Sequence, residues 1–287
     1  QQVARPSRIL NWVIAGALLL ASMIPLLTGS QGAARPQVDA IPEAVQIYDA
    51  IEALPANVPV LVAFDVEPAL YGEMQAPTSE VLAHLLAQEA RLVFISTQPT
   101  GPALAERLLA ETLAIEPAVA TNTYVNLGYL SGGIAALRAF ASDPQAAANP
   151  LPGLPNDPRE AAPLSAIERL DDFGLVLVIS SEGEEARAWI EQTADSLRNG
   201  LYMVASAQVA PLARPYLESD PQTLRGLVSG LSGAAHYEIL RGDGQSNLGW
   251  DAFSYGLGAM VVAILLGGLY NRLIHIIPET SDADTDA

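Results

Sequence analysis

The sequence predicts a doubly wound α/β domain with a mostly parallel sheet of about five strands, flanked by one transmembrane helix at each end. Two observations carry this prediction. Near-continuous apolar segments alternate with amphipathic segments through residues 58–240, which is typical of parallel strands covered by helices on both faces. Uncharged apolar runs long enough to cross a membrane stand at residues 9–28 and 252–270.

The composition excludes several kinds of chemistry. The chain has 287 residues and a formal net charge of −18, so its surface repels nucleic acid phosphates. It contains no Cys and no Lys, which excludes thiol nucleophiles, disulfides and lysine Schiff bases. The three His lie far apart in the sequence, which argues against a three-His zinc site. We expect no nucleic-acid partner, no metal, no cofactor and no catalytic residue.

The two predicted spans are residues 9–28 and 252–271. Each holds about 20 residues without a charge, the length that crosses about 30 Å of hydrocarbon as a helix. A cleaved signal peptide is the alternative for the first run, because the small residues at 32–34 resemble a cleavage site. The first apolar stretch is longer than is usual for a signal peptide, so we favour a span.

Basic residues near the spans predict their orientation. Arg5 and Arg8 precede the first span and Arg272 follows the second, while Arg35 and Arg241 are the nearest on the other side. Positive residues favour the cytoplasmic side of a membrane. We therefore expect a two-pass protein of the cell membrane. Both termini, residues 1–8 and the acidic tail 272–287, would be cytoplasmic, and the central domain extracytoplasmic.

The central elements alternate in the order that gives right-handed crossovers between parallel strands, which predicts a Rossmann-like arrangement. A linker at 29–57 precedes them and contains a predicted helix at 42–53. In chain order the other predicted elements are strand 58–67, helix 79–90, strand 91–98, helix 102–114, strand 124–130, helix 132–141, helix 164–173, strand 175–181, helix 184–197, strand 201–207 and helix 223–240.

A proline-rich segment interrupts the α/β domain, which we place at residues 58–240. Residues 143–163 contain six prolines, which predicts a surface loop without regular structure. The segment falls between two halves of one predicted sheet, and neither half has enough strands to stand alone. A glycine-rich joint at 241–251 then leads into the second span.

Polar residues gather at the predicted carboxyl ends of the strands, where open parallel sheets bind ligands. Two of them are acids two positions apart on one strand, which would point the same way and suit a cation or acid–base chemistry. Solvated acids and a tight turn explain the same residues without a ligand. The candidate ligand-binding residues are Asp65, Glu67, Thr97, Gln98, Gly132, Gly133, Ser180 and Glu182.

Small residues recur at helical spacing in two places, the last predicted domain helix and the second span. Glycines inside a soluble helix cost about 1 kcal/mol each relative to Ala, so such a pattern indicates a closely packed neighbour. For the domain helix, that neighbour is either the domain's own sheet or another subunit. For the span, it is another helix, within the chain or in a partner, and the ordinary enrichment of Gly and Ala in membrane helices is the alternative. The candidate packing residues are Gly226, Gly230, Gly233 and Ala234 in the domain, and Ala259, Ala263 and Gly267 in the span.

Two motifs carry a family resemblance. The runs G-L-x-S-G-L-S-G-A-A-x-Y-E at 226–238 and L-G-Y-x-x-G-G at 127–133, with a span directly after the domain, resemble an uncharacterised group of prokaryotic membrane-anchored proteins. Those proteins have a Rossmann-like domain between two terminal spans. The resemblance covers most of residues 55–270 and implies the same architecture, but no activity and no catalytic residues.

The small-residue patterns and the poor catalytic equipment favour a non-enzymatic scaffold or accessory subunit of a membrane assembly. Its partners would be other membrane proteins or further copies of the chain, contacted through the second span and the last domain helix. The first alternative is a ligand-binding or sensing domain that uses the strand-end crevice. The second alternative is a metal-assisted hydrolase built on Asp65 and Glu67.

Overall fold

The computed structural model describes residues 8–28, 41–112, 123–147, 164–193, 196–198, 200–219, 221–242 and 248–276. The expectations for residues 1–7, 29–40, 148–163, 243–247 and 277–287 lie outside these ranges, and with them the signal-peptide site and most of the acidic tail. The described chain forms two compact units. One holds the two terminal helices, and the other holds residues 41–242.

The larger unit is built on one six-stranded parallel sheet. Its strands are β1 (Pro59–Asp65), β2 (Arg91–Ser96), β3 (Tyr124–Tyr129), β4 (Leu175–Ser180), β5 (Leu201–Ala205) and β6 (Leu224–Ser229). They lie in the order β3-β2-β1-β4-β5-β6. The chain builds outward from β1 to β3 and then returns to place β4 beside β1, so the topological switch point lies between β1 and β4. The predicted α/β class with a Rossmann-like parallel sheet is confirmed, with one strand more than expected.

Helices cover both faces of this sheet. In chain order the α-helices are α1 (Arg8–Thr28), α2 (Pro42–Glu52), α3 (Tyr71–Ala87), α4 (Gly101–Thr112), α5 (Gly133–Ser142), α6 (Pro144–Ala147), α7 (Gly183–Thr193), α8 (Ala210–Leu217), α9 (Gly230–Arg241) and α10 (Leu248–Ile276). Helices α2, α3, α4 and α9 pack on one face of the sheet, and α5, α7 and α8 pack on the other.

The core lies on both sides of the sheet because neighbouring strand residues point to opposite faces. On β1, Leu61 packs with the α5–α7–α8 side, and the next residue, Val62, packs with the α2–α3–α4–α9 side. Trp189 and Phe140 fill the first side, and Tyr237 fills the second. This two-sided burial explains why the strand sequences are apolar throughout rather than alternating.

The predicted helix at 223–240 is wrong in its first part, which is β6, while α9 forms the rest. A Cβ at Gly226 would lie 2.7 Å from Ile47 Cγ1 and 2.9 Å from the carbonyl oxygen of Glu43, so helix α2 packs closely over this strand. Gly226 is therefore needed for a helix–strand approach and not for a helix–helix stripe. The helix α9 starts only at Gly230, whose φ of +54° ends the strand geometry.

Three other element predictions differ from the structure. Helix α3 starts at Tyr71, well before the predicted residue 79, and keeps Pro77 inside it, although proline is disfavoured there. Residues 164–173 form turns and a single 3₁₀ turn at Leu170–Asp172, not an α-helix. Helix α8 was not predicted, and it contains two prolines, which disfavour a helix.

The described part of the proline-rich segment 143–163 is not wholly irregular. Its first residues form the short helix α6, Pro144–Ala147. Proline is tolerated in the first turn of a helix, where its missing N–H would have had no partner.

The terminal unit contains α1 packed against α10. Among the described residues, only Trp250–Tyr270 within α10 is long and apolar enough to cross a membrane. The expectation of a span at each end is therefore wrong for α1. Within α1, the apolar stretch found among the described residues is Asn11–Pro25.

Candidate functional site

The carboxyl edge of the sheet brings together three of the predicted binding residues. Asp65 ends β1 and lies in register with Ser180, which ends β4, across the switch point. Thr97 follows directly after β2. Parallel strands end at one edge, so residues at these positions meet. The structure therefore places Asp65, Thr97 and Ser180 where the sequence predicted a crevice.

The carboxylate of Asp65 is fully buried and accepts four hydrogen bonds. Ser96 Oγ and the Thr97 N–H donate to Oδ1 at 2.8 and 2.6 Å. Thr97 Oγ1 and Trp189 Nε1 donate to Oδ2 at 2.6 and 2.7 Å. Burial raises the pKa of Asp65, and these donors oppose that rise. Both oxygens are satisfied within the protein, so Asp65 ties β1, β2 and α7 together.

Glu67 does not share the strand geometry of Asp65. Strand β1 ends at Asp65, and Glu67 lies beyond it, half-buried. Its backbone N–H donates to Ser181 Oγ at 2.9 Å. The alternation that would point both acids the same way therefore does not apply. Within the described ranges, no group of three His, Cys, Asp or Glu residues is placed to hold a metal ion.

Helix α4 packs closely beside Asp65. Gly101 begins this helix, and a Cβ added there would overlap Ser96 Oγ and the carbonyl oxygen of Phe64. Only glycine lets the start of the helix approach β1 and β2 this closely. The start of α4 and the Ser96 hydroxyl therefore lie directly against β1 and β2 beside Asp65.

The other predicted crevice residues form cross-links along the same edge. Gln98 Nε2 donates to Glu185 Oε1 at 2.7 Å, and Gln208 Nε2 donates to Glu182 Oε1 at 3.2 Å. Ser180 Oγ donates to the carbonyl oxygen of Glu182 at 2.8 Å. Burial raises the pKa of Glu185, and neighbouring carboxylates add to the rise. This edge is acidic and internally bonded, so it disfavours an anionic ligand.

Gly132 and Gly133 lie at a different part of the edge. They follow β3, one of the two edge strands, and β2 lies between β3 and β1. Their φ angles are +119° and +58°, in the left-handed region that favours glycine. A turn from β3 into α5 therefore accounts for the pair, and ligand binding there stays a prediction.

The small residues around α9 pack inside the domain. A Cβ at Gly233 would lie 3.2 Å from Val228 Cγ1, and one at Gly230 would lie 3.5 Å from Ala207 Cβ. Ala234 is fully buried. The close neighbour that the sequence required is the domain's own sheet, together with α2 over Gly226.

The small residues of α10 face α1 over part of their length. A Cβ at Gly256 would lie 2.6 Å from Ser22 Oγ on α1. Ala259 and Ala263 continue along α10 at helical spacing and are half-buried. Gly267 is exposed, and no atom outside its own helix lies within 4 Å of its Cβ position in the described chain. Among the described residues, the stripe therefore meets α1 at Gly256, and its burial decreases from Ala263 to Gly267.

Sequence reasoning missed two buried histidines, one on α3 and one on α9, that contact the two ends of α2. On α3, His84 Nε2 lies 3.0 Å from Glu52 Oε1, and its Nδ1 lies 2.7 Å from the Tyr237 hydroxyl. On α9, His236 Nε2 accepts the Ile41 N–H at 3.0 Å. These partners are 32, 153 and 195 residues apart in sequence, so no local motif marks them.

Comparison with known proteins gives no family: no protein-family model matches the chain, and no curated protein matches it either.

Proposed function

We propose that the chain is a non-enzymatic, membrane-anchored scaffold or accessory subunit of a membrane protein assembly. The exposed apolar surface of α10 carries this proposal. Within Trp250–Tyr270, Leu265 is 66% exposed and Ile264 is 64% exposed. Burying one such side chain in an apolar medium is worth about 1.5–3 kcal/mol. Lipid, or the apolar face of another membrane helix, is the environment that suits this surface.

The state of the carboxyl edge supports a role without catalysis. Asp65 lies at the usual ligand position of this architecture, and both of its carboxylate oxygens accept hydrogen bonds from donors within the protein. Helix α4 packs closely beside it at Gly101. A ligand would have to break those hydrogen bonds before it reached the carboxylate, and a buried polar group left without its partner costs about 1–3 kcal/mol. The edge serves as a structural joint, so the scaffold role is favoured over sensing or metal-assisted hydrolysis.

The charge of the chain indicates the kind of partner surface. A formal net charge of −18 repels anionic lipid headgroups and nucleic acid, and it attracts basic protein surfaces. We therefore expect the partner to present basic residues to the domain, an apolar helix to α10, or both.

An extracytoplasmic domain remains part of the proposal, supported by the arginines around the terminal helices. The chain contains no Cys, so single cysteines give clean labelling. Ala103→Cys on α4 and Arg272→Cys at the end of α10 are both exposed positions. We expect a membrane-impermeant maleimide on intact cells to label the first and not the second. The reverse pattern would contradict this orientation.

Native purification tests the assembly itself. The full chain is extracted in a mild detergent and its complexes are weighed by native mass spectrometry. We expect a stable complex with another membrane protein or with further copies of the chain. A matched control replaces Trp250–Tyr270 with an unrelated apolar helix of equal length, which keeps an anchor and removes the small-residue face. A chain that stays monomeric, both in detergent and after cross-linking in native membranes, would contradict the proposal.

A further inference from the structure

Helix α2 is held at both ends by buried histidines that belong to different helices. At its start, the Ile41 N–H donates to His236 Nε2 on α9 at 3.0 Å. At its last residue, Glu52 Oε1 lies 3.0 Å from His84 Nε2 on α3. Between these clamps, α2 packs over the edge strand β6 at Gly226. Two titratable side chains therefore help to hold α2 on the sheet, beside its apolar packing.

The two clamps respond to a proton in different ways. His236 Nε2 is an acceptor, so the neutral ring carries its proton on Nδ1. A second proton must go to Nε2, where it faces the Ile41 N–H and removes that hydrogen bond. His84 instead faces a carboxylate at Nε2 and the Tyr237 hydroxyl at Nδ1. A hydroxyl both donates and accepts, so a protonated His84 keeps both contacts.

The surroundings of His236 disfavour its charged form. The residue is 5% exposed, and among the described residues its buried Nδ1 has no hydrogen-bond partner. Burial lowers the pKa of His236, and the charge of Glu43 on α2 opposes this effect. Glu43 also lies 3.3 Å from Arg214 Nη2, which weakens its pull on a proton at His236.

The other charged groups near α9 have partners elsewhere or point to solvent. On α3, Glu80 Oε2 lies 3.0 Å from Arg241 Nη1 of α9. Glu238 of α9 is buried and has interactions of its own, and Arg225 on β6 is exposed. Glu43 is thus the carboxylate whose charge acts on His236.

We propose that α2 is a proton-sensitive strap whose first turn is released from α9 when His236 is protonated, while the Glu52–His84 contact holds its last turn. Release uncovers β6 around Gly226. The folded pKa of His236 lies below its ordinary value, so the attached state is fully stable above about pH 6.5 and loses stability as the pH falls below it. The proposal does not require the accessory-subunit role.

Hydrogen exchange of the full chain in detergent tests the strap. Exchange is measured by mass spectrometry at about pH 7.5 and about pH 5.0 and corrected for intrinsic rates, because histidine titrates between these values. In the wild type we expect residues 41–47 to lose about tenfold in protection at the lower pH. Residues 48–54 and strands β1 and β4 should keep theirs, which separates local release from global unfolding.

Two variants serve as matched controls. His236→Gln keeps an acceptor for the Ile41 N–H but cannot be protonated, so its residues 41–47 should stay protected at both pH values. His84→Gln removes the other histidine and should leave the acid release intact. An unchanged wild type at the lower pH, or an equal loss in His236→Gln, would overturn the proposal. If His236→Gln fails to fold, the local pattern in the wild type alone still decides the matter.

Discussion

The terminal helices and the α/β domain differ in how far their apolar side chains are buried. In α10, Ile264 and Leu265 are mostly exposed, whereas Trp189 and Phe140 in the domain are fully buried. The domain buries its apolar side chains by its own packing, whereas α10 leaves large apolar side chains exposed. Substitutions in the domain should therefore change its stability. Substitutions between the terminal helices should change helix pairing and leave the domain intact.

The largest domain effect should come from Asp65→Asn. The new amide NH₂ would face groups that now donate to the carboxylate, which leaves buried donors unpaired and lowers the free energy of unfolding by about 3 kcal/mol. Urea unfolding in detergent measures this loss. Glu67→Gln is the control and should change stability by less than about 0.5 kcal/mol. Wild-type stability in Asp65→Asn would show that the carboxylate is not a structural joint, and the ligand-binding alternative would regain support.

A smaller domain effect is expected where α4 meets the sheet. Gly101→Ala places a methyl group against Ser96 and the Phe64 backbone, and such overpacking costs about 2 kcal/mol. Gly72→Ala on α3 meets open space, and the better helix propensity of Ala should raise stability by about 0.5 kcal/mol. Opposite signs in the two melting temperatures are the expected result. Equal effects would mean that the edge beside Asp65 is not closely packed.

Substitutions between α1 and α10 should change the pairing of these two helices and should hardly change the stability of the domain. A Cβ at Gly256 would lie 3.8 Å from Ser22 Cβ, close to the roughly 3.8 Å typical of a disulfide. The double variant Ser22→Cys, Gly256→Cys should therefore form an internal disulfide under mild oxidation, detected by gel mobility and mass. The pair Ser22→Cys, Gly267→Cys is the control and should stay reduced. If only the control pair formed a disulfide, α1 would contact α10 near Gly267 and not near Gly256, which would contradict the structure.

Much of the sheet was predictable because its signals are local. Five of the six strands were predicted from apolar, β-branched runs bounded by turn residues. The sixth was missed because the segment before Gly230 carries a pattern that fits both a strand and a helix. The need for glycine at position 226 comes from α2, which contacts it from far away in the sequence. A local sequence pattern cannot show this close contact between α2 and β6.

The sequence predicted where the candidate site residues meet, but not which internal groups would bond to them. Strand ends of a parallel sheet meet at one edge, so Asp65, Thr97 and Ser180 came together as predicted. What fills the edge depends on Trp189, which lies 124 residues from Asp65 in sequence, and on α4 at Gly101. The histidine clamps on α2 likewise follow from three-dimensional packing that no spacing reveals.

Membrane retention of truncated chains tests the central claim most directly, namely that α10 anchors the protein. The full chain, a chain that ends at residue 247 and a chain that lacks residues 1–28 are compared after an alkaline wash of the membranes. We expect the full chain and the chain without residues 1–28 to stay with the membrane, and the chain that ends at residue 247 to be released. Retention of that last chain, or release of the full one, would contradict the account.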